Sequence, residues 1–267
     1  NIRFKTLPKG HMMSTFFHGL TYRKKAAKWV NGVLGAVISF ILVFPLIWLF
    51  FTSFKAKGEI FKYPAKLLPL DWTMLNYQEL FQITQFLRYI LNTFLVGIVA
   101  AFVSIIISTS ACYSLSRFKT RVSGIIAVLL LVMYMLPEIV LGIPFMKIFL
   151  FLGLTDSLTA LTITYISITL PFGVWMLRSY IESIPIALEE SAMIDGCTRF
   201  QAFRKVIVPQ AIPGIAATSI FTFILCWNEY LYALILITSE QNKTVTLGLS
   251  ILLGETAIYS WGMLAAG

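Results

Sequence analysis

Arg178 to Pro209 reads RSYIESIPIALEESAMIDGCTRFQAFRKVIVP, a polar segment set between long apolar runs. It is long for a helix–helix connection, and its signals are helical. Pro185 suits a first helical position after Ser183-Ile184. Glu189 and Glu190 fall in the first turns, where acidic groups favour the helix dipole. Gly196 then breaks the helix, and Thr198-Arg199-Phe200-Gln201 has the form of a capping box that starts another. Two short helices joined at Asp195-Gly196 are predicted. At about 100° per residue, Ala187, Leu188, Ser191 and Ala192 share one face. Glu189, Glu190, Met193 and Ile194 take the other. Small side chains let another surface approach the backbone closely, so the first helix either docks a protein or lies on lipid.

Outward from this segment the chain is apolar. Of its 267 residues, 58% are hydrophobic and only 12% charged, and the mean hydropathy is +0.83. Soluble domains run nearer 25% charged. A soluble enzyme, a disordered protein and a disulfide-stapled secreted domain are excluded, and an all-α polytopic membrane protein remains. A membrane core about 30 Å thick needs about 20 helical residues. Trp29–Phe51, Tyr89–Ser116, Val122–Met146, Ser157–Leu177 and Val206–Ser239 meet that length. The last is too long for one span, and Pro209 and Pro213 place the start of its helix near Pro213. A further run begins near Thr256 and stops at Gly267. The expectation is five complete spans and a sixth cut short.

The net charge is +9. With the N-terminus inside, segments 1–28, 117–121 and 178–205 carry 14 of the 21 Lys and Arg, and 52–88, 147–156 and 240–255 carry 7. This two-to-one bias obeys the positive-inside rule and accounts for the charge without nucleic acid. Cys112, Cys197 and Cys226 show no metal or disulfide spacing. His11 and His18 lie in the basic tail, no nucleophile–base pairing can be placed, and no G-x-x-x-x-G-K-[ST] loop occurs to cradle a nucleotide. The expectation is a non-enzyme with no catalytic, cofactor or metal residues.

Glu190-Ser191-Ala192, three residues, Gly196, nine residues, then Val206-Ile207-Val208-Pro209 resembles the loop motif of permease subunits of binding-protein-dependent ABC importers. Ser191, Val206 and Val208 depart from the family pattern conservatively. The flanks resemble the carbohydrate branch, the smaller permease of a maltose-type pair: Asn76-Tyr77, Asn92-Thr93, Ser114-Leu115-Ser116-Arg117-Phe118, Pro137, Pro144, Glu182-Ser183-Ile184-Pro185 and Trp227-Asn228-Glu229-Tyr230. The resemblance implies a six-span type I importer fold in a bacterial inner membrane. Its parts would be a cytoplasmic tail 1–28, a first span 29–52, an outer loop 53–87 and a core 88–267. The partners implied are a second permease, two ATP-binding subunits that hold ATP and Mg, an extracytoplasmic solute-binding protein and a sugar. It also implies that loop 180–209 carries ATPase motion, through Ala187, Leu188, Glu190, Ser191, Ala192, Asp195, Gly196 and Pro209. A permease for a non-sugar solute, or an ion-driven transporter, is the alternative.

Ionisable groups inside spans are expensive and are candidates for function. Glu138, Asn228, Glu229 and Tyr230 are therefore candidates for a substrate path or outer gate, against a plainer role as hydrogen-bonded interface groups. Pro45, Pro137, Pro144 and Pro171 would kink or break their helices. Loop 52–88, with Pro64, Pro69, Trp72 and Tyr77, is either a capped cover or a docking surface.

Overall fold

A computed structural model of the chain describes the backbone of residues 10–252 and 257–267, and the side chains of 28–252 and 261–267. The side chains of His11 and His18, the charges of the tail up to Arg23-Lys24-Lys25, and Thr256 lie outside the described residues. The described elements are all helical: α1 Gly10–Ser53, α2 Leu75–Ile83, α3 Phe86–Arg117, α4 Arg121–Met135, α5 Glu138–Phe151, α6 Leu158–Ser183, α7 Ile186–Ile194, α8 Arg199–Ala202, α9 Val208–Asn228, α10 Leu231–Leu236, α11 Val245–Ile251 and α12 Ala257–Ala266. Four helical stretches, 28–53, 86–117, 158–183 and 199–228, are long and apolar enough to cross a membrane, and α4 with α5 forms a bent pair that makes up to five.

The first compact unit runs from the N-terminus to Asn76. Helix α1 begins at Gly10, within the stretch read as a tail. Beyond it the chain folds back on itself. Asn76 Nδ2 donates to the carbonyls of Ser53 and Lys55 at 2.8 Å each, and Lys55 Nζ donates to the Lys66 carbonyl. The rings of Phe51 and Phe54 meet Trp72. The loop after α1 is thus an ordered structure pinned by Asn76.

The second unit, from Tyr77 onward, is built on α3, α6 and α9. Along α3 the buried positions, among them Tyr89, Asn92, Val96, Ala100, Ser104, Ser108 and Cys112, recur every three to four residues. Small and hydroxylated side chains on this stripe allow close helix approach and cross-helix bonds, as suits a bundle lacking a solvent-driven hydrophobic effect. Thr169 Oγ1 of α6 donates to Ser104 Oγ at 3.1 Å, and Ser108 Oγ donates to the Leu170 carbonyl at 3.3 Å. These contacts advance together along both helices, so α3 and α6 run parallel. Helix α9 runs the opposite way, with Phe223 beside Gly97 and Phe203, one turn before α9, against Tyr113. By contrast α4 fully buries no residue and meets the bundle only along one side, through residues such as Leu130 and Tyr134.

The packing of α9 on α6 requires a glycine. A Cβ at Gly214 would lie 2.4–2.8 Å from three ring carbons of Tyr180. Gly214→Val is therefore expected to cost about 1–3 kcal/mol by overpacking. Thermal unfolding of the purified protein reads the loss, and an unchanged midpoint would contradict the contact.

Two expectations about the spans are corrected. The run 122–146 is not one helix: α4 and α5 meet at 102° across Leu136-Pro137. Proline disfavours the helical conformation in the residue before it, and Leu136 is extended at φ −68, ψ 135. Glu138 therefore begins a new helix instead of lying partway up an old one. Pro45, Pro144 and Pro171, in contrast, are accommodated inside α1, α5 and α6. Nor does the fifth span start near Pro213. Helical backbone continues from Arg199 through a π-turn at Phe203–Ile207 into α9. The wider turn, in which Val208 N–H reaches back to the Phe203 carbonyl, carries the chain past Pro209 in the first turn of α9, where its missing N–H is tolerated. Segment 240–255, for which no secondary structure was expected either way, contains the helix α11, whose Val245 and Leu247 are buried and whose Gly248 lies under the Tyr89 ring.

Each end of this unit has its own set of loops. Arg117 Nη2 donates to the Ile184 carbonyl at 2.9 Å, which puts the turn after α3 beside the turn after α6. At the other end Asn92 Nδ2 donates to the carbonyls of Gln241 and Lys243, and Thr93 Oγ1 accepts from Val245 N–H at 2.8 Å. There Asp156 accepts from the N–H groups of Thr238 and Ser239 at 2.9 and 3.0 Å. Partial burial pushes the Asp156 carboxyl up, but these bonds outweigh it and hold it below the ordinary aspartate value. The tie between the two loops is complete at neutral pH and weakens only as pH falls through that lowered value.

Candidate functional site

Helix α7 is the polar element at the α3–α6 end. Pro185 is its N-cap and Ile186 its first helical residue, one residue later than the sequence places the start. It stops in a Schellman turn: Gly196 N–H bonds the Met193 carbonyl at 3.1 Å and Cys197 N–H bonds the Ala192 carbonyl at 3.0 Å. Gly196 has φ +91, and nothing stands within 4 Å of the place a Cβ would take, so backbone conformation and not space demands glycine there. Thr198 then caps α8 reciprocally with Gln201, as its spacing predicts.

The side of α7 that packs inward is centred on Glu189. Its Oε1 accepts from Tyr113 Oη at 2.5 Å and its Oε2 from Arg117 Nε at 3.1 Å. Both ion-pair side chains are nearly sealed, 6% and 4% exposed. Arg117 also holds the Ile184 carbonyl, so one guanidinium fastens both the start and the inner face of α7 to the end of α3. Phe203 lies 4.6 Å from the Tyr113 ring, and Arg199 lies 5.0 Å over the Phe118 ring. Movement of α7 cannot occur without moving α3 or breaking this cluster.

Ala187, Leu188, Glu190, Ser191, Asp195 and Gly196 are exposed on the remaining surface of the helix and its turn. Ala192 is half-buried: three residues on from Glu189, it lies with Met193 beside that inward carboxylate on the helix. Pro209 lies in α9, past the π-turn, and is not part of this surface. Two exposed apolar residues that the sequence reading left out flank the turn, Ile194 at 85% and Phe200 at 70%. Tyr113, Arg117 and Glu189 were likewise missed as a group. The available signal was an acidic residue on the non-small face of a short helix and a lone arginine closing an apolar one.

The second candidate set is brought together. Glu138, Asn228, Glu229 and Tyr230 all line a cavity of about 470 Å³ between the α4–α5 bend, α6 and the end of α9. Tyr134, Thr169 and Phe172 and the aliphatic Ile168, Ile224, Leu225 and Leu231 complete it, and the rings of Tyr134 and Phe172 stack at 6.5 Å. The four residues are not equivalent. Glu229 is buried, and its carboxylate caps α10, accepting from Tyr232 N–H at 2.7 Å and Ala233 N–H at 3.3 Å. It stabilises the break between α9 and α10, the plainer of the two roles weighed for it. Glu138, Asn228 and Tyr230 are exposed. Asn228 Nδ2 donates to the Ile224 carbonyl. The Glu138 carbonyl accepts from Tyr232 Oη at 3.0 Å, but its carboxylate has no hydrogen-bond or ion-pair partner among the described residues.

Apolar helices of membrane-crossing length, a broken span beside a cavity, and a short polar helix tethered at one end define an integral membrane transport subunit of the type I ABC permease fold. Residues 105–267 match the binding-protein-dependent transport system inner membrane component family, and the chain belongs to it. It is 34% identical to the sulfoquinovosyl glycerol transport system permease protein SmoH of Agrobacterium fabrum, over 95% of this chain and 86% of that one. It is 36% identical to the diacetylchitobiose uptake system permease protein DasC of Streptomyces coelicolor, over 83% and 80%. Among solved structures, a bacterial ABC transporter involved in import of the acidic polysaccharide alginate has a chain that superposes with a TM-score of 0.75. That match covers 91% of both chains at 22% identity, which establishes the shared fold.

Proposed function

We propose that the chain is the non-catalytic permease of an ATP-driven sugar or oligosaccharide importer, and that α7 receives the motion of a separate ATPase. The observation that carries the coupling role is the buried Arg117–Glu189 pair. It leaves the small-residue surface of α7 outward and makes the helix move with α3. The saccharides in the names of SmoH and DasC, and in the alginate importer of like fold, support the sugar reading.

In this reading ATP and Mg are bound by two partner subunits, and a second permease completes the path. The fold has six spans, of which α12 belongs to the sixth. The N-terminus and α7 are cytoplasmic, and loop 53–87 with the Asn92–Lys243 end faces a solute-binding protein. The grouping of basic turns at the α7 end agrees with the positive-inside rule.

Ser191→Arg tests the coupling role. Ser191 is exposed on α7, away from the tether. An arginine forced into a docked protein surface costs several kcal/mol if left unpaired, enough to weaken docking by orders of magnitude. On a helix lying against anionic lipid the same residue would be neutral or helpful. The ATPase is expected to be lost on co-purification while the permease still reaches the membrane. Full retention of the ATPase and of uptake would overturn the assignment.

A further inference from the structure

The cavity beneath the α4–α5 bend carries a charge pattern that bears on what it can admit. Its lining holds two carboxylates, Glu138 and Glu229, and no lysine or arginine. Both oxygens of Glu229 are turned to the amides of α10. Glu138 alone offers a free anionic group, at the first turn of α5. The rings of Tyr134, Phe172 and Tyr230 share the lining with the aliphatic side chains of Ile168, Ile224, Leu225 and Leu231, and the Thr169 hydroxyl is turned away to Ser104 and the Tyr165 carbonyl.

Resting on the sugar-permease reading, we infer that this cavity is a saccharide subsite that takes an uncharged saccharide and excludes one bearing carboxylate or sulfonate. The chemistry runs from two sides. The polarised C–H faces of a pyranose lie favourably on the negative faces of aromatic rings. A carboxylate that lacks a protein partner accepts hydrogen bonds from sugar hydroxyls, and charge-assisted bonds of this kind are the stronger ones. An anionic sugar brings a second negative charge to within several ångströms of Glu138, with no cation in the lining to offset it. At about 6 Å and an effective dielectric near 20, that repulsion corresponds to roughly a hundredfold in affinity.

The test is equilibrium binding of two radiolabelled tetrasaccharides to the purified permease–ATPase complex without a solute-binding protein, which would impose its own selection. One is a neutral glucan and the other a uronate of equal length. The glucan is expected to bind about a hundredfold more tightly. Glu138→Gln, which keeps the shape and removes the charge, is expected to narrow that ratio to within about tenfold, and Glu138→Lys to reverse it. Equal or tighter binding of the uronate by the unmodified complex would overturn the inference and leave the sugar reading intact. So would a ratio unmoved by Glu138→Gln, which keeps the wild-type volume. If neither saccharide binds while ATP-driven uptake of an amino acid or phosphate is measured, the sugar reading itself fails and the inference with it.

Discussion

Glu189→Ala is expected to destabilise the protein by about 3–5 kcal/mol and to abolish ATP-driven uptake. The substitution removes one half of a sealed ion pair and strands the Arg117 guanidinium beside the Tyr113 hydroxyl. Breaking a buried pair from one side costs far more than removing both partners, since the remaining charge has lost both water and its counter-ion. The same reasoning fixes a control. Arg117→Met combined with Glu189→Leu replaces the pair by apolar groups of similar length, and is expected to recover most of the lost stability. Thermal unfolding of Arg117→Met, Glu189→Leu and the double variant closes a cycle. Additive losses in the double variant would show that the two residues do not act as a pair. Uptake separates the structural from the coupling role: a double variant that is stable but transports poorly places the tether in the transmission of motion, and one that transports at full rate removes it from that role.

Gly196→Pro is the second large effect expected. Gly196 sits at φ +91 and its N–H bonds the Met193 carbonyl. Proline fixes φ near −65° and has no N–H, so the Schellman turn cannot close and the cost is about 3 kcal/mol or more. Gly196→Ala keeps the donor but pays about 1–2 kcal/mol for the left-handed conformation. The graded pair matters because nothing stands within 4 Å of the place a Cβ would take: any loss comes from backbone geometry, not from a clash. The spans are untouched, so membrane insertion is expected to be normal in both. Uptake and ATPase co-purification are expected to fall in the order glycine, alanine, proline. Wild-type uptake by Gly196→Pro would show that the orientation of α7 does not matter for transport.

These expectations draw unequally on sequence and structure. The apolar runs that become α3 and α6, the turn at Gly196 and the Thr198–Gln201 box were all legible in the residues alone. Each is a local property: hydropathy over about 20 positions, a φ that only glycine adopts readily, a side chain reaching a backbone three residues away. Proline content signalled trouble in the third span but did not say which proline would break it. Pro137 ended a helix and Pro144 did not, because the outcome depends on whether surrounding helices can re-satisfy the freed backbone groups. The inward roll of α7 was not legible either. It is set by Arg117, 72 residues from Glu189, and no periodicity within nine residues records a partner that distant. Ala192 is half-buried beside that carboxylate and Ser191 stays outward. Glu138 and Glu229 look alike as carboxylates in apolar runs, and only the fold separates them. The α10 amides claim Glu229, whereas the 102° bend leaves Glu138 at the mouth of a new helix, facing a cavity. Sequence determined which segments are apolar enough to cross a bilayer, since transfer free energy adds up along the chain. Tertiary structure decided which charges are neutralised and which stay free, since that depends on atoms brought together from separate helices.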